Sequence, residues 1–290
     1  MRYENITEFR AQGSSLLAKG PVALIFAEDP VEVDSTILHH LKTGFPLVLL
    51  FADDEISVGP ELEERIHRIR YNVHGDEAIP NAVREINAAV AEGTWLYYCF
   101  NAEYLFFPFC ETRTVRDMLT FHTEERRDAM LTYVIDLYAG DLEQFPNAVS
   151  LQDTHLDRSG YYALGRSDPA RPSETKDRQL DFFGGLRWRF EEHVAWGKRK
   201  IDRISLFRAK ADLRLRPDFT FSDEEYNTYS CPWHHNLTAC ICSFRTAKAL
   251  KTNPGSRYDI HNFRWRNSTG FQWNSQQLMD LGLMEPGQWF

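Results

Sequence analysis

An α/β fold with a mixed, mostly parallel central sheet flanked by helices follows from three features of the sequence. Apolar runs of strand length recur at residues 22–27, 46–52 and 95–100. Segments with helical spacing separate them. Each run ends in polar residues: Glu28 and Asp29, Asp53 and Asp54, Asn101 and Glu103. Strands alternating with helices imply parallel pairing through helical crossovers. Such sheets bind ligands outside the carboxyl ends of their strands, so those polar residues converge by topology alone.

The elements follow in order. The first strand, 22–27, stops before Pro30. Asp34, Ser35 and Thr36 offer a cap for a helix in which Val33, Ile37, Leu38 and Leu41 share a face, and Gly44 stands where a terminating glycine belongs. Residues 46–52 form the second strand, and Ile69, Tyr71 and Val73 alternate as a third. Ile79, Val83, Ile86 and Val90 mark one helix face that Gly93 can end, before the fourth strand at 95–100. Residues 114–138 read as helix in two parts, the second starting at Thr123 with Met130, Tyr133, Val134 and Leu137 inward. Residues 139–185 read as loop-rich, and the turn chemistry of 167–175 predicts a mobile surface loop. Residues 204–207 and 237–244 are further strand candidates.

At 290 residues, the chain is one large domain or two small ones. Its net charge of -9 opposes nucleic-acid binding. No apolar stretch is long enough to span a membrane, and the first residues lack a signal-peptide layout. Five scattered cysteines predict free thiols in a reducing cytoplasm. The chain contains no Gly-x-Ser-x-Gly, Gly-x-Gly-x-x-Gly or P-loop motif, which argues against a serine hydrolase, a dinucleotide dehydrogenase and an NTPase.

Residues 95–108 read Trp-Leu-Tyr-Tyr-Cys-Phe-Asn-Ala-Glu-Tyr-Leu-Phe-Phe-Pro. The segment resembles the nucleotide-sugar glycosyltransferases of family 2, which place Trp-x-x-x-x-Asp-x-Asp-Glu-Phe-Leu there. Trp95, Glu103, Tyr104 and Leu105 keep the pattern, whereas the two metal-binding aspartates are replaced by Phe100 and Ala102. The order of Glu28-Asp29, Asp53-Asp54, residues 183–189, 204–207 and 233–248 is similar to that family as well.

The resemblance implies a single GT-A-like domain over residues 1–290. It has a lead-in at 1–20, a nucleotide-binding half at 20–110 and an acceptor-side half at 111–290. It implies a catalytic Glu103. Donor contacts fall to Glu28, Asp53, Asp54, Asn101, His235, Arg245 and Lys248, with Arg187 on the acceptor side. The implied cofactor is Mn or Mg, weakly held by Glu103 and His235; metal-independent transfer, with Arg245 and Lys248 facing the diphosphate, competes with it. The implied partners are a nucleotide-sugar donor and a glycan or other hydroxyl acceptor, in cytoplasmic synthesis of a bacterial surface polysaccharide. The alternative is a catalytically inactive relative that binds a glycan or nucleotide. The catalytic base stays open, with Asp223, Glu224 and Glu225 as candidates. His39 and His40 read as structural, and Arg187 and Arg189 read equally as surface residues. Cys231, His234, His235, Cys240 and Cys242 read as buried residues or as a zinc group.

Overall fold

A computed structural model of the protein describes residues 1–228 and 236–289. In chain order the first elements are β1 (Arg2–Tyr3), α1 (Ile6–Gln12), β2 (Val22–Phe26), α2 (Val33–Lys42), β3 (Leu47–Ala52), α3 (Pro60–Glu63) and β4 (His67–Arg70). Next come α4 (Ala78–Asn87), β5 (Trp95–Phe100), β6 (Glu103–Phe106), α5 (Val115–Glu124), β7 (Ala129–Ala139) and β8 (Thr154–Asp157). The remainder is β9 (Tyr162–Asp168), β10 (Arg171–Phe183), α6 (Gly185–Arg189), β11 (Asp202–Arg208), β12 (Ala239–Ser243), α7 (Arg245–Thr252), β13 (Ser268–Gly270) and α8 (Ser275–Asp280). The architecture is α/β, with a mixed, mostly parallel central sheet flanked by helices.

The chain forms two compact units. The first comprises 1–104, 110–131 and 204–227; the second comprises 105–109, 132–203 and 228–290. These units do not coincide with the halves drawn from the sequence, because 110–131 and 204–227 belong to the first unit and 105–109 to the second.

In the first unit, strands run in the order β1-β4-β3-β2-β5, all parallel, and β11 closes the row antiparallel to β5. Every residue of β2, β3 and β5 is buried. Strands covered on both faces read as continuous apolar runs, which is why these were legible in the sequence. Burying each Leu, Ile or Phe there contributes roughly 1.5–3 kcal/mol. α4 turns Ile79, Ala82, Val83 and Ile86 inward at helical spacing.

The second unit pairs β12 parallel to β7, β8 antiparallel to β7, and β13 antiparallel to β8. β9 and β10 form a separate antiparallel hairpin.

Four expectations need correction. Residues 129–139 are strand β7, not helix. Nine of its eleven positions are buried, and the spacing of Met130, Val134 and Leu137 only mimics a helix face. Residues 167–175 are the tip and flanks of the β9–β10 hairpin. α2 is capped at Glu32, which has φ 56°, and Ser35 and Thr36 donate back to the Glu32 carbonyl from inside the first turn. The third strand covers His67–Arg70, so Tyr71 and Val73 follow it.

His40 is structural, as read. Its Nδ1 donates to the Thr36 carbonyl at 2.8 Å, and its Nε2 accepts from the Tyr97 hydroxyl at 3.3 Å. Burial pushes His40 down to about 3 and His122 down to about 4. Both folded values lie below the unfolded imidazole value, so the unfolded chain binds more protons at mildly acid pH. This stability is present above about pH 6.5 and is lost as pH falls towards 4, at about 1.4 kcal/mol per pH unit per histidine. Melting temperature is therefore expected to drop between pH 6 and pH 4.5. His122→Gln, which retains a donor for the Ala129 carbonyl, should flatten that slope by about half. An unchanged slope in His122→Gln would contradict the assignment.

Candidate functional site

The carboxyl edge of β2, β3, β4 and β5 lies wholly in the first unit and is organised by one side chain. Asn101 follows β5 directly and is fully buried. Its Oδ1 accepts from the Glu28 amide at 2.9 Å. Its Nδ2 donates to Asp29 Oδ1 at 2.8 Å and to the Val31 carbonyl at 2.9 Å. Asp29 Oδ1 also accepts from the Val31 amide. The loop after β2 is therefore tied at three points to the end of β5. His74, beyond β4, donates from Nε2 to the Glu28 carbonyl at 2.9 Å.

The turn between β5 and β6 is equally tight. Ala102 takes φ 58° and donates its amide to Thr36 Oγ1 at 2.9 Å. Glu103 is fully buried, and its Oε2 accepts from the Phe100 amide at 2.9 Å. Phe100 packs between Phe26 and Phe219, each at 6.3 Å between ring centroids. Tyr104 shares a 2.8 Å hydrogen bond with Ser35, and burial raises its hydroxyl far above the usual tyrosine range.

These residues do not fit a divalent cation. Phe100 and Ala102 offer no oxygen donor from their side chains, and the Glu103 carboxylate is turned onto backbone in the interior. Hard cations need several converging oxygen ligands. No group of three His, Cys, Asp or Glu able to hold a metal occurs among the described residues. His235, with Cys231 and His234, lies outside the described residues.

The other residues named from sequence fall in both units. Glu28 and Asp53 are half-buried; Asp54 is exposed and pairs with Arg70 at 3.0 Å. Arg187, Arg245 and Lys248 belong to the second unit. Arg187 donates to Thr246 Oγ1 at 3.1 Å and to the Lys200 carbonyl, and lies 3.8 Å from Asp136. Lys248 is buried, and Arg245 is half-buried as the first residue of α7. Asp223 bonds Lys210 at 2.5 Å, which holds its carboxyl below the usual range and makes it a weak base; Glu224 pairs with Arg216 at 3.0 Å.

Sequence reasoning missed a buried polar cluster in the second unit. Asp157 Oδ1 accepts from the Tyr138 hydroxyl at 2.6 Å and from Trp265 Nε1 at 2.8 Å, and Arg189 Nη1 reaches both carboxylate oxygens at 3.2 Å. Arg189 also stacks over Trp265 at 4.7 Å, so it is no ordinary surface residue. Nearby in sequence to Tyr138, Asp136 accepts from the Leu186 amide at 2.9 Å. Burial pushes its carboxyl up despite the opposing Arg187. No spacing in the sequence announces these groups.

Two surface cavities of about 390 and 510 Å³ open on the first unit. Their linings include Pro21 and Trp95 in one and Val90 and Ala209 in the other. The first therefore lies at the amino ends of β2 and β5, and the second before β5 and after β11, both away from the edge built by Asn101.

The four described cysteines carry no disulfide, and Cys240 and Cys242 are fully buried. No helix among the described residues is long and apolar enough to cross a membrane. No protein-family model matches the chain, and no curated protein matches it.

Proposed function

We propose that the protein transfers a sugar from a nucleotide-sugar donor to a hydroxyl acceptor without a carboxylate-held cation, with the first unit holding the nucleotide. The observation that carries this reading is the Asn101 knot. It fixes the loop 28–31 at the carboxyl edge of four parallel strands, where folds of this kind bind ligands. Pre-ordered backbone reduces the entropy lost on binding. The half-buried carboxylates of Glu28 and Asp53 suit ribose hydroxyls and base N–H groups as acceptors.

In the reaction, the acceptor oxygen bonds the anomeric carbon as that carbon's bond to the diphosphate breaks. The electron pair leaves with the diphosphate, and the hydroxyl proton passes to a base. A second reading is a binding protein without turnover, favoured by the inward-turned Glu103. Release of nucleoside diphosphate from a panel of donor sugars in EDTA separates the two. Turnover with one donor, unchanged by manganese, supports the first reading. Binding without release supports the second.

A further inference from the structure

Three residues of the second unit stand in register across its antiparallel strands. Tyr138 on β7 pairs with His155 on β8, and His155 pairs with Gly270 on β13, so all three share one face of the sheet. The Tyr138 and His155 rings are nearly parallel, at 15°, with centroids 6.3 Å apart. Gly270 leaves the place beside His155 open: a β-carbon there would meet nothing beyond its chain neighbours within 4 Å.

Asp153, two residues before His155, sets its carboxylate against the imidazole. Oδ1 lies 3.5 Å from His155 Nδ1. An N–H···O hydrogen bond spans about 2.7–3.2 Å, so this contact is too long to be one. Nδ1 is buried and has no hydrogen-bond partner. A buried polar atom left so costs about 1–3 kcal/mol. The Asp153 carboxylate likewise accepts no hydrogen bond among the described residues. Its backbone is nevertheless fixed. The Asp153 amide donates to Ser150 Oγ at 3.0 Å, and its carbonyl accepts from the Gly140 amide at 3.1 Å.

Gly140 makes the room for this pair. Its φ is not positive, so backbone conformation does not call for glycine. A β-carbon there would lie 2.6 Å from His155 Cε1 and 2.8 Å from each Asp153 carboxylate oxygen, closer than side chains tolerate. Any other residue at 140 would push carboxylate and imidazole away.

We infer that Asp153 and His155 chelate a transition-metal dication of the zinc class. Two ligands of one tetrahedral zinc, each at about 2.0–2.1 Å, stand about 3.3–3.5 Å apart, which matches the separation of Oδ1 and Nδ1. A ring nitrogen with a carboxylate suits zinc, whereas magnesium and calcium take oxygen ligands in larger number. The ion supplies the partner that the buried Nδ1 lacks. Two protein ligands leave the remaining positions to water, as in open zinc sites. The site lies within the second unit and does not depend on the nucleotide reading of the first.

The test is calorimetric titration of zinc chloride into the full chain, stripped with EDTA and dialysed, beside magnesium chloride. Saturable zinc binding is expected, weakening at least tenfold in Asp153→Asn, His155→Gln and Gly140→Ala, with no binding of magnesium. Zinc should also raise the melting temperature of the unaltered chain and leave that of Asp153→Asn unmoved. The double variant His234→Ala, His235→Ala should keep this site. Melting temperature checks that each variant folds. Asp153 is 38% exposed, so Asp153→Asn decides the matter even where Gly140→Ala fails to fold. No zinc binding, equal affinity in folded Asp153→Asn, loss only in the His234 and His235 variant, or equal binding of magnesium would overturn the inference.

Discussion

Asp157→Ala is expected to cost about 3–5 kcal/mol, the range for leaving a buried charge without its partner. The carboxylate is 1% exposed, and three groups depend on it: the Tyr138 hydroxyl, the Trp265 indole N–H and the Arg189 guanidinium. Removing it strands a half-buried guanidinium and takes from Trp265 the bond that fixes its ring. At about 2–4 °C per kcal/mol, melting temperature should fall by roughly 10 °C. Asp157→Asn separates charge from hydrogen bonding. Its amide oxygen can still accept from Tyr138 and Trp265, but the charge of Arg189 stays unmatched, so about half the loss should return. Calorimetry of the three proteins measures this. A wild-type melting temperature in Asp157→Ala would show that the cluster does not stabilise the second unit.

Asn101→Ala is the second large effect. It removes an acceptor for the Glu28 amide and donors to Asp29 and the Val31 carbonyl, all at a buried position. Each buried group left unsatisfied costs about 1–3 kcal/mol, so a loss of roughly 3 kcal/mol is expected. The loop 28–31 should loosen, and nucleotide affinity should fall about tenfold as ordering is deferred to binding. Asn101→Asp makes a sharper test. It keeps an acceptor for Glu28 but sets a second carboxylate beside Asp29, where the native contact is 2.8 Å. Like charges so close cannot both ionise easily. This variant should be at least as damaged as Asn101→Ala at pH 7 and should recover as pH falls into the carboxylate range. Insensitivity to pH would contradict the knot.

Much of the first unit was legible because parallel strands covered on both faces must be apolar throughout. The runs around Leu24, Leu49 and Tyr98 are buried end to end, and polar residues bound them at the predicted edge. β7 was misread because burial on both faces erases the period that separates strand from helix. Met130, Val134 and Leu137 then fit a helical face by chance. The hairpin was misread because Pro169 marks its tip and Pro172 stands inside β10, and because β9 and the start of β10 are largely exposed and lack alternation.

The site was legible only as a place. Asn101 and Glu103 were correctly located after β5, but sequence does not say which way a side chain turns. Here both turn inward and hold backbone. The cluster at Asp157 was invisible for a different reason: Trp265 lies 108 residues away in the chain, and nothing in the sequence pairs them.

The most direct test of the central claim is calorimetric titration of nucleoside diphosphates and their sugars into the protein in EDTA, repeated with Asn101→Ala. The account predicts saturable binding of one nucleotide class without metal, weakened about tenfold by the substitution. Binding that appears only with manganese, or no binding by any nucleotide, would contradict it.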